Sequence, residues 1–285
     1  MKNKKTLVSI VIPCYNHDSF VQDAIQSVVD QTYKNIELII IDDGSKDESV
    51  IKIQEMIDVC RERFTRFEFR SRPNKGLSAT LNEAIKWCDG KYYAAIASDD
   101  IILQHKTQIQ VEYLEDHPEI TSLSANVDII DENNNSVGSI RRPTKEAFFK
   151  EIFLSNFLLT PPQMHRLEAV KSVGGYNENV IIEDWYMWLK LAHSGKRIMF
   201  LDDVVCLYRM HPTNTSKNTI ALLKSQIQIC DDFKDSSYYY YAVYKLERQI
   251  ISELYKENGN RLSYRYKKLI SKIKYYLFNL KNYKL

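Results

Sequence analysis

Cysteine is scarce and scattered. Cys14, Cys60, Cys88, Cys206 and Cys230 are odd in number, widely spaced and without a CxxC pair, which argues against a disulfide framework or a structural zinc site and for a reducing compartment. Eight glycines and seven prolines in 285 residues exclude a collagen-like or low-complexity chain. No apolar run approaches the ~20 residues that span a bilayer. Basic Met1–Lys5 followed by apolar Leu7–Ile12 imitates a signal peptide, but Pro13 ends the run and no small-residue cleavage site follows. A surplus of charge is missing too: 39 Lys+Arg against 37 Asp+Glu leave +2, so no global field points to nucleic acid. No unit of 20 to 50 residues repeats beyond simple strand–helix pairs. The chain is therefore expected to be soluble and cytoplasmic.

What is present is an ordinary globular composition, 44% hydrophobic and 27% charged, long enough for a full catalytic core. Residues 8–12 (VSIVI), 36–41 (IELIII) and 92–97 (YYAAIA) are continuous apolar runs, which read as strands buried on both faces, with a weaker strand at 67–70. Helical patterns separate them. One follows Asp18 or Ser19 as cap, one runs from a Ser45-x-x-Glu48 capping box to about Arg61, and one spans about Ser78 to Trp87. This alternation predicts an α/β sheet with helices on both faces. Beyond residue 104 the expectation is a helix to Asp116, a hairpin or mixed-sheet extension from 120 to 140, helices near 144–156 and 184–194, and a strand over 197–208. From about Asn218 onward the pattern is helical.

Two of the buried strands end in acid pairs, Asp42/Asp43 and Asp99/Asp100. The carboxyl edge of an open α/β sheet is where ligands bind, so the four acids converge on one crevice. An oxygen-only set without a His/Cys cluster suits a hard ion, Mg²⁺ or Mn²⁺, that also holds a diphosphate. Each pair has a plainer reading as well: an Asx turn at Asp43-Gly44, a helix cap at Ser98-Asp99-Asp100. A third pair, Glu183-Asp184, precedes the aromatic stretch from Trp185 to Trp188, where negative charge also suits a helix N-terminus. His211 is either a surface histidine or a ligand for a cation or phosphate.

In their order along the chain, VSIVIPCYN (8–16), SVVDQTYKNIELIIIDDGSKD (27–47), RPNKGLSATLNEAI (72–85), ASDD (97–100), GGYNENVIIEDWYMWLKL (174–191) and YRMHPTNTS (208–216) resemble glycosyltransferase family 2, the inverting nucleotide-sugar transferases of GT-A fold. The resemblance implies a mixed sheet flanked by helices with a helical C-terminal extension. It implies a nucleotide-sugar-binding half at 1–100, an acceptor-binding half at 101–217 and the extension at 218–285. It further implies that Pro13 and Tyr15 line the base pocket, that Asp43 beside Asp42 accepts the uracil N3 proton, and that Asn74 and Gly76 border the donor. Asp99 is implied to face the ribose or sugar, Asp100 and His211 to hold a divalent metal, and Asp184 to be the general base, with Glu183 and Trp185 beside it. Arg72 and Lys75 are candidates for the donor phosphates.

The implied activity is metal-dependent inverting transfer of a hexose or N-acetylhexosamine from a UDP-sugar to a saccharide, in capsule, O-antigen or lipooligosaccharide synthesis. Two rivals are a GT-A-fold binding module without activity and a nucleotidyltransferase; the latter lacks the Gly-rich phosphate loop with Lys after the first strand. After Glu257 the chain carries no acid, while Arg261, Arg265, Lys267, Lys268, Lys272, Lys274, Lys281 and Lys284 alternate with Leu262, Tyr266, Leu269, Ile270, Ile273, Leu277 and Leu280 at helical spacing. This basic amphipathic helix suits the anionic cytoplasmic face of an inner membrane, and with it a polyprenyl-diphosphate-linked acceptor. A helix packed on its own domain, or a homodimer seam, has the same periodicity.

Overall fold

A computed structural model describes residues 6–212, 214, 219–258, 264, 267–273 and 275–276. They fall into two compact units, 1–149 with 157–178 and 183–212, and 150–156 with 179–182 and 213–285.

The first unit is built on one ten-stranded sheet. Strands β1 (Val8–Cys14), β2 (Ile36–Asp42), β3 (Arg66–Ser71) and β4 (Tyr92–Ala95) run parallel in the order β3-β2-β1-β4. Residues of one parity, Val8, Ile10, Ile12, Leu38 and Ile40, pack with Val21, Ile25 and Val28 of α1 (Val21–Val29). Those of the other parity, Val11, Ile39 and Ile41, are as fully buried, and α4 (Leu77–Ile85) lies against β1 and β2. Covering both faces is why these runs are apolar throughout.

Beyond β4 the sheet turns mixed, continuing β9-β6-β10-β5. Here β5 is Ile101–Ile102, β6 Ile120–Ile130, β9 Met164–Arg166 and β10 Arg197–Arg209. β9 is antiparallel to β4 and β6, β10 is parallel to β6, and β5 is antiparallel to β10. β7 (Ser136–Ile140) hairpins onto β6, and β8 (Lys145–Ala147) pairs with β10. α5 (Lys106–Asp116), α7 (Leu167–Ser172) and α8 (Glu183–His193) complete the unit. This is the mixed α/β sheet flanked by helices that the sequence implied.

Three local expectations need correction. α1 begins after Phe20 with no side-chain cap, so neither Asp18 nor Ser19 caps it. The Ser45 capping box does not form: α2 (Ser49–Gln54) starts later, with Asp47 Oδ1 and not Ser45 accepting Ser49 N at 3.0 Å, and α3 (Ile57–Arg63) is a separate helix. The expected helix at 144–156 is β8 followed by α6 (Phe149–Leu154).

The second unit consists of most of α6, α9 (Thr219–Asp231), α10 (Tyr239–Asn258) and helical residues 267–273 and 275–276. Lys245 Nζ donates to Leu154 O at 2.9 Å, and the Phe153 and Phe233 rings lie 6.0 Å apart. Ser271 Oγ donates to Glu247 Oε2 at 2.7 Å and Tyr275 stacks on Tyr244. Of the expected basic tail, Arg261, Leu262, Arg265, Tyr266, Lys274, Leu277, Leu280, Lys281 and Lys284 lie outside the described residues. Among the described residues no helix is long and apolar enough to cross a membrane.

Candidate active site

The chain winds β1, β2, β3 in one direction and then returns to place β4 on the other side of β1. The carboxyl ends of β1 and β4 are therefore a switch point, where the following loops diverge and leave a crevice. Pro13 occurs at this end of a central strand because its missing N–H faces the side where β4 has stopped: Val11 O accepts Ile96 N at 2.9 Å, while Cys14 O accepts Asp43 N at 2.8 Å on the β2 side. Tyr15 follows with its ring exposed, and Asn16 takes a left-handed φ of 53°.

The loop from Asn16 to Asp18 is held by the segment leading into α2. Asn16 N donates to Ser45 Oγ at 2.9 Å, His17 N to Ser49 Oγ at 2.9 Å and Asp18 N to Asp47 Oδ2 at 3.1 Å. These hydroxyls and carboxylates are recruited to the loop, which is the physical reason the capping box is absent.

At the end of β2 the two acids have different surroundings. Asp42 is fully buried; its Oδ2 accepts the N–H groups of Gly44 and Ser45 at 3.1 and 3.2 Å and the Ser71 hydroxyl at 3.0 Å. Asp43 Oδ1 accepts from Arg72 and from Lys75 N at 2.8 Å, and Oδ2 accepts from Gly76 N at 2.9 Å. Gly44, at φ +77°, allows the loop to close: a Cβ there would lie 2.7 Å from Asn74 N. Arg72 is spent inside the protein, since it also donates to Glu83 Oε2 and Thr80 Oγ1, both at 2.9 Å. Lys75 and Asn74 are exposed, and Lys75 Nζ is 4.0 Å from Glu83.

After β4, Ser98, Asp99 and Asp100 are all buried. The antiparallel register of β5 on β10, Leu207 opposite Ile101, continues to bring the end of β10 beside Asp99 and Asp100. His211 Nε2 is 2.9 Å from Asp99 Oδ2. Asp100, expected as the direct metal ligand, accepts Arg209 N on Oδ1 at 2.9 Å, and burial together with the Asp99 charge holds its carboxyl well above the usual range. Arg209 is itself fully buried and donates to Asp99 O at 2.7 Å, Asp131 O at 3.2 Å, Asn134 Oδ1 at 2.6 Å and Asp23 Oδ2 at 3.1 Å. Sequence reasoning named neither Arg209 nor His17, whose Nδ1 is 2.7 Å from Ser98 Oγ. The only signal for His17 was its place on the same sheet edge as the acids.

Glu183 and Asp184 open α8. Asp184 Oδ2 accepts from the Thr160 hydroxyl and Oδ1 from Trp185 N at 2.6 Å. Burial raises the Asp184 carboxyl, and burial plus the Asp184 charge pushes Glu183 up to about 8. Trp185 is buried and belongs to the core. Upstream, Asn82 of α4 pins the loop that leads here, accepting Tyr176 N at 2.8 Å and donating to Tyr176 O at 2.9 Å.

The donor set at the switch point, two imidazoles and a carboxylate whose ligand atoms lie within 4.8 Å of one another, fits a divalent cation. Comparison with known proteins agrees with this architecture. Residues 9–172 match the family model described as "Glycosyl transferase family 2". The chain is 29% identical over 244 residues, 81% of it and 87% of the relative, to the UDP-Glc:alpha-D-GlcNAc-diphosphoundecaprenol beta-1,3-glucosyltransferase WfgD of Escherichia coli. Among solved structures it resembles S. aureus TarS 1-349 in complex with UDP-GlcNAc, with a TM-score of 0.69 at 16% identity, covering 93% of this chain and 79% of that one. It also resembles the mannosyltransferase PcManGT from Pyrobaculum calidifontis in complex with GDP-Man and Mn2+, with a TM-score of 0.64 at 14% identity, covering 96% and 86%. A winding reversal that opens on Asp43 and Asp99, and a family match over more than half the length, lead to one conclusion: the chain belongs to glycosyl transferase family 2 and is a glycosyltransferase of GT-A fold.

Proposed function

We propose that the chain transfers a hexose or N-acetylhexosamine, with inversion, from a UDP-sugar to a saccharide carried on a polyprenyl diphosphate, the product serving cell-surface polysaccharide. The observation that carries this reading is the switch-point crevice, where the Asp43 clamp on β2 and the Asp99–His211 pair lie at the ends of strands flanking β1. The UDP-Glc in WfgD's name and the UDP-GlcNAc bound to TarS support a uridine donor, and the diphosphoundecaprenol acceptor in WfgD's name supports a lipid-linked acceptor. Residues 1–100 would form the donor half, 101–217 the acceptor half and 218–285 the helical extension.

Asp43 has capacity left for the base. A carboxylate offers about four lone pairs, and the bonds to Arg72, Lys75 N and Gly76 N use three, leaving Oδ2 one site for the uracil N3–H. Arg72 then acts as a positioning residue for Asp43, and exposed Lys75 is the cation available to the donor phosphates. Pro13 and the exposed Tyr15 ring flank the base. Asp99 and His211 would hold a divalent ion, which when bound neutralises charge on the leaving diphosphate. Asp184 takes the proton of the acceptor hydroxyl; burial raises its pKa, which strengthens it as a base. Thr160 and Trp185 N fix the orientation of that carboxylate.

The test is UDP release from each UDP-sugar with a GlcNAc-diphosphate-lipid acceptor. Asp184→Asn is expected to bind the donor normally and to lose transfer by 10²-fold or more, a scale set by general-base catalysis; transfer at the wild-type rate overturns the role. Membrane contact is supported by Leu269, Ile270, Ile273 and Tyr276, exposed on one side of the C-terminal helical segment beside exposed Lys267 and Lys272. If truncation before Asn258 leaves binding to anionic vesicles unchanged, that part of the reading is wrong.

A further inference from the structure

His17 is the polar group of the crevice that the nucleotide-sugar reading does not use. Its backbone is fixed by Ser49, and its Nδ1 is held 2.7 Å from Ser98 Oγ. Among the described residues no hydrogen bond forms at Nε2, the nitrogen a metal ion would take. Its ring stands at 89° to that of His211 with centroids 5.6 Å apart, and the ligand atoms of His17, Asp99 and His211 all lie within 4.8 Å of one another. Phe20 packs edge-on to His17 and against His211, walling one side of the pair with carbon.

We propose that His17 is a metal ligand which, with Asp99 and His211, completes a site of two imidazoles and one carboxylate that selects Mn²⁺ over Mg²⁺. A ligand imidazole characteristically has its second nitrogen tied by a hydrogen bond that sets tautomer and ring angle, and Ser98 supplies that partner. Mg²⁺ prefers oxygen ligands in a strict octahedron and keeps its waters, whereas imidazole suits the transition metals. Three protein ligands leave positions open for diphosphate oxygens. Asp100 is not in the set: its Oδ1 accepts Arg209 N, and it does not group with the ligand atoms of His17, Asp99 and His211. The ligand set rests on the divalent ion of the proposed function, and loading of the ion is measured apart from transfer.

The experiment is an electron paramagnetic resonance titration of the full chain with Mn²⁺, with and without UDP, together with spin-echo detection of coupled nitrogen. The wild type is expected to bind one Mn²⁺ coupled to two imidazoles and to retain it in a tenfold excess of Mg²⁺. His17→Ala should weaken binding by at least tenfold and show one coupled imidazole, while Asp100→Asn changes affinity less than threefold. Ser98→Ala keeps the imidazole and frees its ring; a loss of about tenfold or more is expected, the range known for partners of metal ligands, and this reads the site even if His17→Ala fails to fold. Unchanged affinity and nitrogen coupling in His17→Ala, displacement by equimolar Mg²⁺, or no Mn²⁺ bound by the wild type in either condition would overturn the proposal. Nitrogen-coupled Mn²⁺ without transfer from any UDP-sugar would overturn the donor reading and leave this one standing.

Discussion

Replacing Arg209 by Met tests whether one buried guanidinium organises the crevice. The side chain is fully buried at the end of β10, and its Nε and Nη1 donate to the backbone carbonyls of Asp99 and Asp131. Met keeps most of the volume, so the loss is polar and not a cavity. Hydrogen bonds from a charged donor contribute about 1.5–3 kcal/mol each, and breaking a buried charged cluster costs about 3–5 kcal/mol. The bond to Asp23 adds little, because that carboxylate is 43% exposed and screened, and the Phe20 ring 4.8 Å from the guanidinium contributes about 1 kcal/mol. The expected loss is about 4 kcal/mol, or roughly 8–16 °C in melting temperature at about 2–4 °C per kcal/mol. Urea and thermal unfolding measure it directly. Because Arg209 holds the main chain of Asp99 and lies two residues before His211, Mn²⁺ affinity should fall together with stability. A loss below about 1 kcal/mol would refute the reasoning, as would unaltered Mn²⁺ binding in a destabilised variant.

Gly44→Ala places a Cβ 2.7 Å from Asn74 N and 3.0 Å from Arg72 O at φ +77°, so it should cost about 2–4 kcal/mol and weaken UDP binding in calorimetry by moving residues 72–76 off Asp43; a melting temperature within 1 °C of wild type would contradict the tight approach. Glu183 has a folded pKa raised to about 8 by burial and by Asp184, so the folded state binds its proton more tightly than the unfolded state. Stability should therefore fall as pH rises from about 4.5 to 8. Glu183→Gln should flatten that slope and be more stable than wild type at pH 8 but not at pH 4; parallel urea midpoints across the range would show that Glu183 is not the group responsible.

Much of the first half of the fold is legible because burial on both faces leaves an unmistakable composition. Residues 8–12 and 36–41 admit no polar position except Ser9 and Glu37, and those two are paired, Ser9 Oγ donating to Glu37 Oε1, which also accepts Asp89 N at 2.7 Å. The acid pairs that follow β2 and β4 point, from sequence alone, to the carboxyl edge of the sheet, where the fold does bring them. What was not legible is where side chains spend their hydrogen bonds. Ser45, Asp47 and Ser49 have the composition of a helix start, yet Ser45 Oγ, Ser49 Oγ and Asp47 Oδ2 accept the backbone N–H groups of Asn16, His17 and Asp18, and only Asp47 Oδ1 is left for Ser49 N. Arg72 has the composition of a phosphate contact, yet its donors face Asp43, Glu83 and Thr80. Both choices depend on which loops the sheet order makes neighbours, and local sequence carries no record of that order.

The division of labour between Asp99 and Asp100 has the same cause. Adjacent in sequence and identical in type, they are interchangeable to any spacing argument. The two-residue strand β5 pairs antiparallel with β10, and that register directs the Asp100 carboxyl to Arg209 N while the Asp99 carboxyl meets His211. One acid thereby fixes the strand end that delivers the histidine, and the other meets that histidine. Shifting the register by a single residue would exchange the two sides, so the chemistry of the crevice depends on a pairing about a hundred residues away in sequence.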